Sequence, residues 1–177
     1  MSMVQRAFTV RYSGRVRVLK TEVGVSLPVT HDQAAVESPS VRPCIAVWDT
    51  GATGTVITKQ VADEIGLKPI GVTKVYHAQG EGLTNEYLVN VALPNGLIIH
   101  PVRVTEGALA GCDVLIGMDI IALGDFAVTN ANGQGGTTLS FCIPSVEEID
   151  FVPRSQEDMI QKTGNRAARR TLHKKRR

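Results

Sequence analysis

The strongest constraint on this chain is Ile45-Ala46-Val47-Trp48, an unbroken apolar run that stops abruptly at Asp49-Thr50-Gly51. A run of this kind suits a strand buried on both faces, with the polar residues arriving where the strand ends. About sixty residues later, Asp113 leads into a second fully apolar stretch, Val114-Leu115-Ile116-Gly117. Two buried strands this far apart need a core to cover them. A chain of 177 residues, 43% of them hydrophobic, is long enough to close one such core. Aromatic residues make up only 5%, and Val, Ile, Thr and Gly are frequent, so the expected class is mainly β with one or two short helices.

The remaining segments agree with that class. Phe8–Tyr12 and Arg15–Val23 alternate apolar and polar residues around Ser13-Gly14, which reads as a β-hairpin with one wet face. Residues 28–43 hold three prolines without periodicity and read as a loop. Thr53–Thr58 reads as a short strand, after which Thr58 caps a short helix carrying Val61, Ile65 and Leu67, with Gly66 near its exit. Val72–His77 and Tyr87–Leu93 flank residues 78–84, predicting a hairpin with a glycine-rich, flexible tip. A second hairpin turns at Pro94-Asn95-Gly96, a short helix follows Gly117 through Ile120, Ile121 and Leu123, and Phe126–Val128 and Thr137–Ile143 complete the strands. Beyond Pro144 the chain turns acidic, with a helix expected to be capped at Ser155 with Asp158 three residues on.

Net charge is +2, but residues 162–177 hold 8 of the 19 Lys+Arg and no acid, leaving 11 basic against 17 acidic residues, a net of −6, over residues 1–161. A basic face on the folded body is therefore not expected. The tail 166–177 reads either as a solvated, disordered extension or as a weak, salt-sensitive contact for nucleic acid or another anion. No apolar run approaches a membrane span, and Met1–Arg6 lacks the apolar segment of a secretory signal, so a cytoplasmic protein without membrane contact is expected. Cys44, Cys112 and Cys142 are odd in number, far apart and without a CxxC pair, so they read as small buried hydrophobes in a reducing compartment. His31, His77, His100 and His173 have no ligand spacing; no metal and no cofactor is expected.

Asp-Thr-Gly alone occurs by chance and can be an Asp-initiated turn. Here it follows a buried strand, extends to Asp49-Thr50-Gly51-Ala52-Thr53, and is followed by a hairpin around Gly80-Glu81-Gly82 and then, some sixty residues after Asp49, by Asp113-Val114-Leu115-Ile116-Gly117, in that order along the chain. From about Arg42 to Phe141 the chain resembles the retropepsin-like aspartic proteases, including single-domain bacterial members. The resemblance implies a closed acid-protease β-barrel, dimeric, with a flap hairpin over an extended peptide. It divides the chain into an N-terminal hairpin and linker (1–41), a protease domain (42–143) and a C-terminal extension (144–177).

Carried over onto this sequence, the resemblance makes Asp49 the catalytic carboxylate. Thr50 would brace two loops across a dimer, Gly51 would let peptide approach, and Ala52 and Thr53 would complete the active-site loop. Gly80, Glu81 and Gly82 would form the flap, and Ile116 and Gly117 would back the loop. Asp113 would either orient that loop or merely start its strand. Only one Asp-Thr-Gly is present, Asp113, Asp119 and Asp125 each being followed by an apolar residue. One chain then holds half a site, and a homodimer would be required for activity, since a twofold interface sets identical residues against each other. Ala52 lacks the hydroxyl that supports an ionised carboxylate in two-lobed relatives, implying cleavage at mildly acidic to near-neutral pH. The rival expectation is a catalytically silent peptide-binding or assembly module on the same fold.

Overall fold

The computed structural model of the chain describes residues 4–28, 40–77, 80–130, 135–153 and 155–159. These fall into two compact units, Met1–Val146 and Glu147–Arg177. The first is mainly β. Its strands are β1 (Arg6–Arg11), β2 (Lys20–Ser26), β3 (Arg42–Trp48), β4 (Val56–Ile57), β5 (Gly71–His77), β6 (Gly80–Ala92), β7 (Ile98–Glu106), β8 (Val114–Ile116), β9 (Asp125–Asn130) and β10 (Thr137–Ile143). Two short helices, α1 (Lys59–Glu64) and α2 (Met118–Ile121), interrupt them.

A seven-stranded sheet runs β2-β3-β8-β4-β7-β6-β5, with β2 also pairing β6 through Gly24↔Ala92, Val25↔Val91 and Ser26↔Asn90. A three-stranded sheet runs β1-β10-β9. The two halves of the expected N-terminal hairpin therefore part company: β1 pairs β10 from Arg6↔Ile143 to Arg11↔Thr138, while β2 pairs β3 and β6. Alternation specifies a strand and its wet face, not its partner. The intervening residues are tied elsewhere. Tyr12 N donates to Thr137 O at 2.9 Å, Thr137 N to Gly14 O at 3.0 Å, and Val16 N to Thr137 Oγ1 at 3.1 Å. At this crossing a Cβ on Gly136 would lie 1.6 Å from Tyr12 O, so only glycine admits the approach.

The core is built from alternate residues of the large sheet, with Val25, Ala46, Ile57, Val89, Val104, Val114 and Ile116 all fully buried. Burying each larger aliphatic side chain contributes roughly 1.5–3 kcal/mol. An aromatic cluster joins the two sheets: Trp48 of β3 lies 5.1 Å from Phe141, 5.6 Å from Phe126 and 5.9 Å from Phe8, ring centre to ring centre. β3 departs from the expectation of burial on both faces. Cys44, Ala46 and Trp48 point into the core, but Ile45 is 40% exposed. An apolar run alone does not reveal that only one of its faces is covered.

Strand β4 is shorter than the predicted Thr53–Thr58, because residues 49–54 form an irregular loop. Thr58 caps α1 as expected, its hydroxyl accepting from Val61 N at 3.3 Å. Pro94-Asn95-Gly96 makes the β6–β7 turn. In the second unit, helical turns occupy residues 152–153 and 155–159. Asp150 Oδ1 accepts from Val152 N at 2.8 Å and Ser155 N donates to Phe151 O at 3.0 Å. Ser155 therefore closes a helical bond back to Phe151 instead of capping a helix that starts after it. Of the expected loop 28–43, Arg42 and Pro43 already belong to β3, while residues 29–39, like the tail 166–177, lie outside the described residues.

Candidate active site

The site begins with Trp48, whose burial fixes the residue after it. Its indole N–H donates to Thr21 Oγ1 at 2.9 Å and its backbone N–H to Leu19 O at 3.0 Å, while the aromatic cluster holds the ring. β3 runs parallel to β8 with Ala46↔Val114, Val47↔Leu115 and Trp48↔Ile116 in register. Asp49 N extends that ladder by donating to Ile116 O at 3.0 Å. The chain then leaves the sheet, and the carboxylate of Asp49 lies half-buried at the strand's end.

The loop is held from within and from below. Gly51 N donates to Asp49 Oδ1 at 2.8 Å, and Ala52 N to Asp49 O at 3.2 Å. From beneath, Met118 N donates to Ala52 O at 2.8 Å and Asp119 N to Thr53 O at 3.1 Å. The first turn of α2 thus presents its unpaired N–H groups to the loop's carbonyls, which satisfies both. Gly117 makes the approach possible, since a Cβ there would stand 2.6 Å from the carbonyl carbon and oxygen of Gly54 and 3.0 Å from Ala52 O. Thr50 and Thr53 are exposed beside Asp49.

Two further residues brace the loop that sequence reasoning had not singled out. Thr55 is 1% exposed, and its hydroxyl donates to Asp119 Oδ1 at 2.8 Å while accepting from Gly117 N at 3.3 Å. Asp119 Oδ2 also accepts from Thr55 N at 3.0 Å. The visible signals were a threonine just before the apolar Val56-Ile57 and an acid two residues after Gly117. Nothing in their spacing says that they meet.

The structure brings Asp49–Thr53 together with Ile116 and Gly117. Asp113 lies at the other end of β8. Its Oδ2 accepts from Ile45 N at 2.8 Å, its N–H donates to Ile45 O at 2.8 Å, and its Oδ1 lies 3.5 Å from Arg42 Nη1. These bonds go to the beginning of β3 rather than to the Asp49 loop. Gly80, Glu81 and Gly82 lie within β6, paired with His77, Tyr76 and Val75, so the ladder runs further toward the tip than predicted. Residues 78–79 at that tip lie outside the described residues. Glu81 forms an ion pair with Lys74.

Among the described residues no group of His, Cys, Asp and Glu could hold a metal ion, and no helix is long and apolar enough to cross a membrane. Cys44 is buried, which pushes its thiol pKa up, whereas Cys112 and Cys142 are only half-buried.

Residues 40–122 match the family model described as gag-polyprotein putative aspartyl protease. No curated protein matches the chain. Solved structures similar to it include a retropepsin-like aspartic protease from Rickettsia conorii, with 15% identity, 81% of this chain and 96% of that chain covered, and a TM-score of 0.49. They also include the EIAV protease complexed with an inhibitor, with 18% identity, coverage of 60% and 86%, and a TM-score of 0.42. A third is the retroviral protease-like domain of Ddi1 from Leishmania major, with 18% identity, coverage of 64% and 82%, and a TM-score of 0.37.

Proposed function

We propose that the chain is a retropepsin-like aspartic endopeptidase, active as a homodimer in which Asp49 faces Asp49 of a second copy; the match of residues 40–122 to the gag-polyprotein putative aspartyl protease model supports the reading. The carrying observation is the placement of Asp49. Its backbone is pinned to β8, its carboxylate is tethered by Gly51 N at 2.8 Å, and α2 supports its loop from beneath. One carboxylate so held can take a proton from water, but polarising the substrate carbonyl at the same time needs a second acid. Two copies supply it. Close carboxylates share one proton because both cannot ionise together, aspartic proteases being the type case.

An extended peptide would lie as an added strand between the Asp49 loops and a flap formed by Gly80, Glu81 and Gly82, with side-chain pockets alternating on its two sides. The pairing of β2 with β6 supports a closed barrel beneath it. Exposure of Thr50 supports its use as a brace across the dimer. Three free thiols suit a reducing cytoplasm.

The test incubates the protein and an Asp49→Asn variant with a peptide library across pH while molecular mass is measured. Cleavage by the parent dimer alone, best at mildly acidic to near-neutral pH, is expected. Equal cleavage by both proteins would end the reading, an active monomer would end the shared dyad, and no cleavage by either would favour a silent peptide-binding module.

A further inference from the structure

We infer that Glu106 clamps the root of the β5–β6 hairpin and so acts as a positioning residue for it. The inference rests on the reading of that hairpin as a flap over substrate. At Glu86 three strands stand abreast, with Gly71 of β5 on one side and Thr105 of β7 on the other. Beyond that point, toward the tip, β6 has only β5 beside it. A two-stranded ribbon by itself is marginally stable in water, so its angle is decided where the third strand ends.

Glu106 is the last residue of β7 and stands at that place. Its Oε2 accepts from the Tyr87 hydroxyl at 2.6 Å and from Asn85 Nδ2 at 3.2 Å, and its carbonyl accepts from Thr84 Oγ1 at 2.7 Å. Asn85 Nδ2 also reaches the Tyr87 oxygen at 3.3 Å. Tyr87 is 4% exposed and belongs to the core, whereas Thr84 and Asn85 belong to the ribbon. One carboxylate therefore bridges the fixed side of the hinge and the projecting side. Bonds to an ionised acceptor are among the stronger ones, and shelter from water strengthens them further. The Arg103–Glu86 pair at the same level has its arginine largely exposed and contributes little.

Glu106 is also joined to the floor of the site. It pairs with Ile57 of β4, Gly107 N donates to Ile57 O at 2.9 Å, and Thr105 N donates to Thr55 O at 3.1 Å. Thr55 is the residue whose hydroxyl binds Gly117 N and Asp119 under the Asp49 loop. The hinge of the hairpin and the support of the carboxylate thus share one short run of backbone.

The test is amide hydrogen exchange on the full chain without substrate, comparing wild type with Glu106→Ala, Tyr87→Phe and Glu106→Gln. Glu106→Ala is expected to speed exchange across residues 72–77 and 80–85 by about tenfold, the equivalent of one charge-assisted hydrogen bond, with β3 and β8 unchanged. Tyr87→Phe, which keeps the ring in the core, is expected to speed the same amides several-fold, and Glu106→Gln, which keeps an acceptor but loses its charge, to fall between wild type and Glu106→Ala. With a quenched fluorescent peptide that the wild type cuts, KM should rise while kcat changes by less than about twofold. Unchanged exchange of the ribbon in Tyr87→Phe, or a rise spread equally over the whole sheet, would overturn the clamp. A wild type that cuts no peptide would count against the protease reading alone, because the exchange result stands without catalysis.

Discussion

Replacing Gly117 by alanine tests whether close approach beneath the Asp49 loop is what the fold requires at this position. The backbone there has φ −95° and ψ −172°, which alanine adopts freely, so any cost must come from contact. The new methyl would sit 2.6 Å from the carbonyl carbon and oxygen of Gly54 and 3.0 Å from Ala52 O. Ordinary carbon contacts need about 3.5 Å, so loop and strand must separate by roughly 0.9 Å. The loop cannot retreat freely, because Ala52 O and Thr53 O are held by Met118 N and Asp119 N at 2.8 and 3.1 Å. Overpacking of this kind costs about 1–3 kcal/mol, and weakening either hydrogen bond moves the sum toward about 3. In a chain of this size that is a fall in Tm of about 6–12 °C. Gly54→Ala is the control, since a Cβ there meets nothing within 4 Å. It should stay within about 0.5 kcal/mol of wild type. Thermal and urea melts of both variants decide the matter. For a protease, a shift of about 1 Å at Asp49 should also lower kcat/KM by roughly a hundredfold in Gly117→Ala. A Gly117→Ala protein that melts like wild type, or a Gly54→Ala protein that is equally damaged, would refute the reasoning.

Thr55→Val preserves shape but strips the buried acceptor from Gly117 N and the donor from Asp119, and should cost about 1–3 kcal/mol in a urea melt, with no change in m-value. Thr58→Ala removes the side-chain acceptor for Val61 N at the start of α1 and should cost about 1 kcal/mol by the same measurement. The Arg42 guanidinium, with help from Gln60, holds the Glu64 carboxyl below its ordinary 4.5. A lowered carboxylate pKa stabilises the fold above the unfolded value and loses that contribution as pH falls through the folded one, so stability should decline below 4.5. Glu64→Gln should flatten this acid limb in melts recorded across pH; an unchanged limb would assign it to other groups.

Much of the site was legible in the sequence because its parts are local. The apolar run before Asp49, the loop Asp49–Thr53 and the glycine after Leu115-Ile116 each announce themselves within a few residues. Thr58 was legible for the same reason, a cap being satisfied three residues away by Val61 N. The partnership of Thr55 with Asp119 was not, because 64 residues separate two side chains that meet only when β8 lies beside the loop. Asp113 could be placed before its strand but not aimed; its carboxylate turns to Ile45 and Arg42 because β3 and β8 pair in parallel with Ala46 opposite Val114.

By itself the sequence determined the class of the chain, the end of β3 as the place where Asp49 emerges, and the presence of a single Asp-Thr-Gly. These follow from period and chain-local chemistry, which need no partner to be read. Only the tertiary structure decided which strands meet. It took β1 away from β2 and gave it to β10, covered one face of β3 while leaving Ile45 outside, and brought Phe8, Phe126 and Phe141 around Trp48. Strand pairing is settled by which faces bury most apolar surface together, a property of the assembled sheets that no segment carries alone.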